Sequence, residues 1–160
     1  MSEFDSAIEL ILAYEGGLVS NKYDPGGLTK YGISQRAYPD LDIASLTEEQ
    51  AKAIYKRDYW DKIHGDYLPS GIATLVFDAA VNQGINRATK MMQKAINVDA
   101  DGIIGAKTMA ALSRATLMDF AVQFGTQRTL HYASLPTFSI FGKGWLRRVF
   151  DVTARVIHGH

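Results

Sequence analysis

Glu15, Asp24 and Thr29 are the residues of this 160-residue chain whose types and spacing suit bond-breaking chemistry. Two carboxylates and a hydroxyl around one cleft are the equipment of glycosidic-bond hydrolysis. Glu15 would protonate the leaving oxygen. Asp24 would hold and activate a water, with Thr29 helping to fix it. Taken singly, each has a plainer reading. Glu15 can be a surface acid where a helix frays, Asp24 an Asx-turn acceptor, and Thr29 an ordinary strand residue.

The elements that must position them are legible nearby. Phe4, Ile8, Ile11 and Leu12 recur at i, i+4, i+7 and i+8, one face of a helix. Glu15 continues that face four residues after Ile11, and Gly16-Gly17 then stops the helix. Both the apolar neighbours and the negative end of the helix dipole disfavour a carboxylate there, so a raised pKa and a general-acid role are expected. Asp24-Pro25-Gly26-Gly27 is a strong turn. The runs Leu18-Val19-Ser20 and Leu28-Thr29-Lys30-Tyr31-Gly32-Ile33 flank it and predict a small β-hairpin. Folded back beside the helix end, that hairpin would set Asp24 and Thr29 opposite Glu15.

The same residues carry a resemblance. Glu15-Gly16-Gly17-Leu18-Val19 followed by Asp24-Pro25-Gly26-Gly27-Leu28-Thr29-Lys30-Tyr31-Gly32-Ile33-Ser34 resembles the N-terminal signature of glycoside hydrolase family 108, bacteriophage and bacterial muramidases with a lysozyme-like fold. The order Glu, Asp, Thr is also similar to the catalytic triad of phage-type lysozymes, with Asp24 and Thr29 one residue closer than in that group. Phe77-Asp78-Ala79-Ala80-Val81-Asn82-Gln83-Gly84 resembles the family's second well-marked segment. That likeness implies that Asn82 and Gln83 border the substrate groove, although a helix C-cap explains the same residues equally well. Tyr31 and Tyr132 complete the candidate substrate-binding set. The resemblance implies cleavage of the β-1,4 bond between N-acetylmuramic acid and N-acetylglucosamine in peptidoglycan. It requires no cofactor and no metal.

Composition sets outer bounds. The chain is 47% hydrophobic and 21% charged, an ordinary globular balance, and has no cysteine. Disulfides, thiol nucleophiles and cysteine-ligated metals are therefore excluded. No apolar run is long enough to span a bilayer, and Glu3, Asp5 and Glu9 make the N-terminus unlike a secretory signal. Residues 1–101 carry 10 Lys+Arg against 15 Asp+Glu, and residues 102–160 carry 7 against 2. A basic C-terminal part can lean on an anionic polymer, or simply pair with acidic surface elsewhere.

Further along, Thr47 and Gln50 form a capping box for a helix expected to reach about residue 63, with Ala51, Ile54, Tyr55 and Tyr59 inward. Tyr59-Trp60-Asp61 suits a sugar-stacking platform; the favoured reading puts Tyr59 in the core and Trp60 half-buried. His64 is a lone loop histidine. Residues 72–81 are apolar nearly all round and predict a central buried helix. Asp78, the single charge in it, needs a partner. Met91 and Met92 read as core filler on the next helix. Asp101-Gly102-Ile103-Ile104-Gly105-Ala106-Lys107-Thr108 resembles a segment of helical peptidoglycan-binding modules, or is fold punctuation alone. The following helix, Leu117–Ala133, is expected to turn Phe120, Ala121, Phe124 and Leu130 inward, with Gln127, Arg128 and Tyr132 either toward a groove or simply exposed. Residues 134–144 predict a loop. The last helix, 145–158, is expected to bury Leu146, Val149, Phe150 and Val156 and to leave Arg147, Arg148 and Arg155 largely outside. His158-Gly159-His160 is a terminal tail.

These readings predict one lysozyme-like unit over 1–160, mainly α with a small N-terminal β-hairpin, in a two-lobe arrangement. Within it, residues 1–84 form the catalytic lobe and 85–160 a helical lobe resembling a peptidoglycan-binding region. The expected partner is peptidoglycan, with no nucleic acid, no stable membrane insertion and a monomeric state. Likeness to phage lysins implies accumulation in the host cytoplasm, release through a holin and action in the periplasm or cell wall; a bacterial secretion role fits equally. A lytic transglycosylase using Glu15 alone, a non-catalytic wall-binding module and a nucleic-acid-binding helical protein stay open, the last opposed by zero net charge and the acidic first half.

Overall fold

Ser2 starts the first helix, α1 (Glu3–Glu15). Its hydroxyl accepts the Asp5 N–H at 3.2 Å and the Asp5 carboxylate accepts the Ser2 N–H at 2.8 Å, which satisfies two donors that a helix start otherwise leaves unpaired. Phe4, Ala7, Ile8, Leu10 and Ile11 are buried, as the 3.6-residue period requires. Glu15 is half-buried. The computed structural model describes residues 1–20 and 27–159. Asp24, with Pro25 and Gly26 of the expected turn, lies outside the described residues, as does His160.

The chain divides into two compact units, Met1–Asp58 and Tyr59–His160. In the first unit, β1 (Val19–Ser20), β2 (Leu28–Lys30) and β3 (Ile33–Ser34) form one antiparallel sheet in the order β1-β2-β3. Val19 pairs with Thr29, and Lys30 with Ile33. The expected hairpin is thus extended by a third strand, because residues 28–33 fold at Tyr31-Gly32 instead of continuing straight. A 3-10 turn, Ile43–Ser45, packs beside β2. Then α2 (Glu48–Tyr55) begins with the predicted capping box: the Gln50 N–H meets Thr47 Oγ1 at 3.1 Å, and the Thr47 N–H meets Gln50 Oε1 at 2.9 Å. The α-helix ends at Tyr55, short of residue 63, and the chain passes into a π turn, Lys56–Trp60.

The second unit is helical. α3 (Ile72–Gln83) packs against α4 (Ile85–Ala95), α6 (Leu117–Ala133) and α7 (Phe138–His158), with α5 (Ala106–Arg114) between α4 and α6 in sequence. Its residues from Ile72 to Ala80 are all buried, as an all-round apolar helix must be. Because α3 packs into these three helices, the compact units divide at Asp58/Tyr59, before the 84/85 boundary of the sequence reading.

Several expectations change here. Trp60 is only 1% exposed and Tyr59 is half-buried, the reverse of the sequence reading. The Trp60 indole N–H donates to Asp66 Oδ1 at 2.8 Å and its ring meets Phe77 edge-on at 5.2 Å, so it offers no face to a sugar. α7 begins at Phe138 rather than 145, and Gly142 lies inside it. A β-carbon on Gly142 would sit 2.6 Å from the Phe138 ring, so this glycine serves close packing and not a loop. Leu130 and Phe150 are 60% and 65% exposed. On α6 the inward positions are Phe120, Phe124, Arg128 and Tyr132, four residues apart, which turns Leu130 outward.

The Asp101–Thr108 segment closes over Gln93, which is fully buried. The Gln93 side-chain amide donates to Asp101 Oδ1 at 2.9 Å, Ile103 O at 2.9 Å and Thr108 Oγ1 at 3.2 Å, and its oxygen accepts the Gly102 N–H at 2.9 Å. The Asp and Thr of the motif are thereby committed to holding the loop. Among the described residues no helix is long and apolar enough to cross a membrane, and no three acids or histidines are placed to hold a metal ion.

Candidate active site

Glu15 ends α1 because Gly16 follows it. The Gly16 N–H still reaches Leu12 O at 3.0 Å, but its backbone turns to φ 62°, ψ −160°, a region open essentially to glycine alone. The helix therefore stops with the Glu15 side chain on the packed stripe, half in contact and half in solvent.

What it packs against is the turn joining β2 to β3. Lys30 pairs with Ile33, so the loop is the two residues Tyr31 and Gly32. Their φ angles are 52° and 77°, both positive, as a type I′ turn demands to match the twist of its strands. A β-carbon on Gly32 would lie 2.9 Å from Glu15 Oε2 and 3.0 Å from Glu15 Cβ, and closer still to the Tyr55 hydroxyl. The missing side chain is thus the space in which the Glu15 carboxylate sits. Tyr55, buried on α2, donates its hydroxyl to Tyr31 O at 2.7 Å. That bond holds Tyr31 in a left-handed conformation that costs a non-glycine residue about 1–3 kcal/mol. Strain maintained by a buried tether, beside a half-buried carboxylate, is a feature that functional sites share. The Tyr31 ring is itself covered by the Lys30 ammonium, 5.6 Å from its centroid.

Thr29 is half-buried in the middle strand, between Val19 and Ser34. Glu15, Thr29 and Tyr31 therefore belong to one unit, on α1 and a sheet whose second turn touches Glu15. Asp24 lies outside the described residues.

The other candidates belong to the second unit, around Asp78. That carboxylate is 1% exposed. Arg128 Nη1 donates to Asp78 Oδ2 at 2.8 Å, and Arg148 Nε to Oδ1 at 3.0 Å. Sequence reasoning set Arg148 outside and Arg128 toward a groove or simply exposed; both turn inward, since a buried carboxylate requires a cation. Gln83 joins them. Its oxygen accepts from Arg128 Nε at 2.6 Å and its amide donates to Arg128 O at 3.3 Å, so most of its polar capacity is spent inside the fold. The Asn82 amide donates to the Tyr132 hydroxyl. Tyr132 is 3% exposed and stacks on Trp145, ring centroids 4.9 Å apart. Burial pushes its phenol above the usual 10.0, against the opposing charge of Arg128. Asn82, half-buried, is the member of this set with surface left to offer; Gln83 and Tyr132 stand behind it. The pairing of Arg128 and Arg148 with Asp78, and the stacking role of Trp145, escaped the sequence reading, although a lone Asp in an apolar helix announces that some cation must reach it.

Comparison with known proteins agrees with this architecture. The chain matches the family described as Glycosyl hydrolase 108 over residues 8–84, which hold Glu15, the sheet and α3. No curated protein sequence matches it. Among solved structures it is similar to that entitled "Structure of Brucella abortus SagA", at 37% identity and a TM-score of 0.87, over 97% of this chain and 94% of that one. The fold is the mainly α, lysozyme-like one expected. With likeness of that degree along nearly its whole length, the chain belongs to glycosyl hydrolase family 108.

Proposed function

We propose that this glycoside hydrolase is an N-acetylmuramidase that cuts peptidoglycan glycan strands at the β-1,4 bond from N-acetylmuramic acid to N-acetylglucosamine. The observation that carries the reading is the seat of Glu15: a half-buried carboxylate at a helix end, against a glycine whose missing side chain makes its room. A carboxyl group so held is placed to give its proton to a glycosidic oxygen. Asp24 serves as the base that positions water, and Thr29 helps fix that water. An attack by water on the face opposite the leaving group inverts the anomeric centre and requires the two carboxyl groups roughly 6.5–9.5 Å apart. Tyr31 and Asn82 contact the glycan. Tyr132 acts behind Asn82 through the hydrogen bond that orients it, and Gln83 acts from the buried cluster through Arg128. Acid–base chemistry of this kind uses only side chains and water, so no cofactor enters. Action is at the cell wall, by a monomer, after holin-dependent release or bacterial secretion.

Purified peptidoglycan, a reducing-sugar assay and mass spectrometry of the products test the proposal. The parent protein is expected to release reducing N-acetylmuramic acid ends. Glu15→Gln should lower the rate by roughly 10²–10⁴-fold while leaving the thermal midpoint almost unchanged. Parent-rate lysis by that variant removes Glu15 from the mechanism. Products ending in an anhydro-sugar would instead make the enzyme a lytic transglycosylase.

A further inference from the structure

A second concave site lies wholly within the helical unit, between α4 and α6. It is a cavity of about 760 Å³, within the range of ligand sites. Arg87, Lys90 and Lys94 line it from α4, His131 and Gln127 from α6, and Gln83 from the end of α3. No aspartate or glutamate lines it. Arg87 gives one N–H to Gln83 O at 3.1 Å. Among the described residues no carboxylate forms an ion pair with Arg87, Lys90 or Lys94.

Three features make this more than a solvated face. First, Arg87, Lys90 and Lys94 are spaced i, i+3, i+7, one stripe along the helix, and span about 10 Å of axis at 1.5 Å per residue. Secondly, Gln83 in its wall is bonded to Arg128, and the buried cluster behind it has two arginines to one aspartate, so its formal charge is positive. Thirdly, His131 reports the local field: burial, and then the charge of Arg87, hold its imidazole below the ordinary 6.5. The site is thus a cavity lined by cations and by no carboxylate; Asp101, outside the lining, feels the charge of Lys90 but forms no ion pair with it. Ile85, Met91 and the exposed Leu130 add apolar patches to its wall, beside the polar Asn86. Cations strung beside apolar patches suit a short peptide bearing several carboxylates and small methyl groups better than a bare phosphate chain.

We propose that the α4/α6 cavity binds the carboxylate-bearing peptide stem of peptidoglycan. The inference rests on the muramidase reading for its choice of polymer. It adds a subsite that recognises the peptide, sharing Gln83 with the residues assigned to the glycan and otherwise lined by residues outside that set.

Calorimetric titration with a disaccharide-tetrapeptide muropeptide, and with the same disaccharide lacking its peptide, provides the test. The measurements use the full chain carrying Glu15→Gln, so that nothing turns over. The peptide-bearing ligand is expected to bind about ten-fold tighter, and the advantage should shrink as salt is raised. Lys90→Glu with Lys94→Glu should abolish the advantage, and Lys90→Gln with Lys94→Gln should reduce it part-way. Far-UV circular dichroism and the thermal midpoint check that both variants fold. Equal binding of the two ligands by the unsubstituted cavity overturns the proposal, as does an undiminished advantage in the folded charge-reversed protein. Tighter binding of a glycerol-phosphate polymer than of the muropeptide also overturns it, in favour of a phosphate site. Failure of the muramidase reading looks different: muropeptide is bound through the cavity, yet the enzyme with Glu15 intact releases no sugar ends.

Discussion

In the proposed mechanism a single carboxylate is made useful by what its neighbours lack. Glu15 has room because Gly32 has no side chain, and that room keeps its place because Tyr55 ties down the Tyr31 carbonyl. Gly32→Ala tests this arrangement without touching the acid. The new methyl meets both the Glu15 carboxylate and the Tyr55 hydroxyl, and it must do so at a φ of 77°. Backbone strain and crowding each cost about 1–3 kcal/mol. The variant should therefore unfold at clearly lower urea, and its glycan cleavage should fall further than the loss of folded protein explains, since roughly 1 Å of misplacement can cost about 10²-fold in rate. Tyr55→Phe is the milder companion: it should lose roughly 1 kcal/mol with the hydrogen bond to Tyr31. If Gly32→Ala keeps full rate in the folded state, the turn does not position Glu15.

Between elements, the decisive contacts are polar and buried, and these were the least legible in the sequence. The helix carrying Glu15, the capping box of α2, the buried α3 and the span of α6 all follow from local periodicity and end signals, which act within a few residues. Arg128 and Arg148 could not be placed that way. Each carries a charge that says surface, although each stands on the inward stripe of its helix, and each is held inward because Asp78, 50 and 70 residues away, needs a partner. Trp60 is buried for a similar reason: its N–H has Asp66 and its ring has Phe77. Gly142 read as a loop because its packing partner, the Phe138 ring, is invisible to composition. The third strand was hidden by a Tyr-Gly turn whose left-handed geometry only glycine advertises. Asp78→Asn tests the central network. It leaves two arginines inside the fold facing a neutral amide, which should cost about 3–5 kcal/mol in urea unfolding. Arg128→Met should cost more than Arg148→Met, since Arg128 is 2% exposed as a side chain and Arg148 11%. Equal, small losses for all three would mean that the cluster is wet and contributes little.

For the molecule as a whole, the zero net charge conceals a separation, −5 over residues 1–101 and +5 over 102–160, and its response to acid follows from where protons are resisted. His131 is held below 6.5, first by burial and then by the charge of Arg87. The unfolded chain therefore takes up a proton at this residue before the folded chain does, so stability falls as pH drops from 6.5 toward the lower folded value. The carboxylates act in the same direction at lower pH. Asp101 is held below 3.8 chiefly by the Ile103 N–H and then by Gln93, and Asp5 by the Ser2 N–H and hydroxyl at the start of α1. Their stabilisation is present above 3.8 and is lost as pH falls through their folded values. Urea midpoints measured from pH 7.5 to 2.5 should accordingly stay level near neutrality, decline gently below about 6.5, and drop again below about 3.8. His131→Gln should flatten the first decline and leave the second. A midpoint in the parent protein that does not move between pH 7 and 5 would show that α6 holds the imidazole without resisting its charge, and the positive field assigned to the α4/α6 cavity would lose one of its three supports.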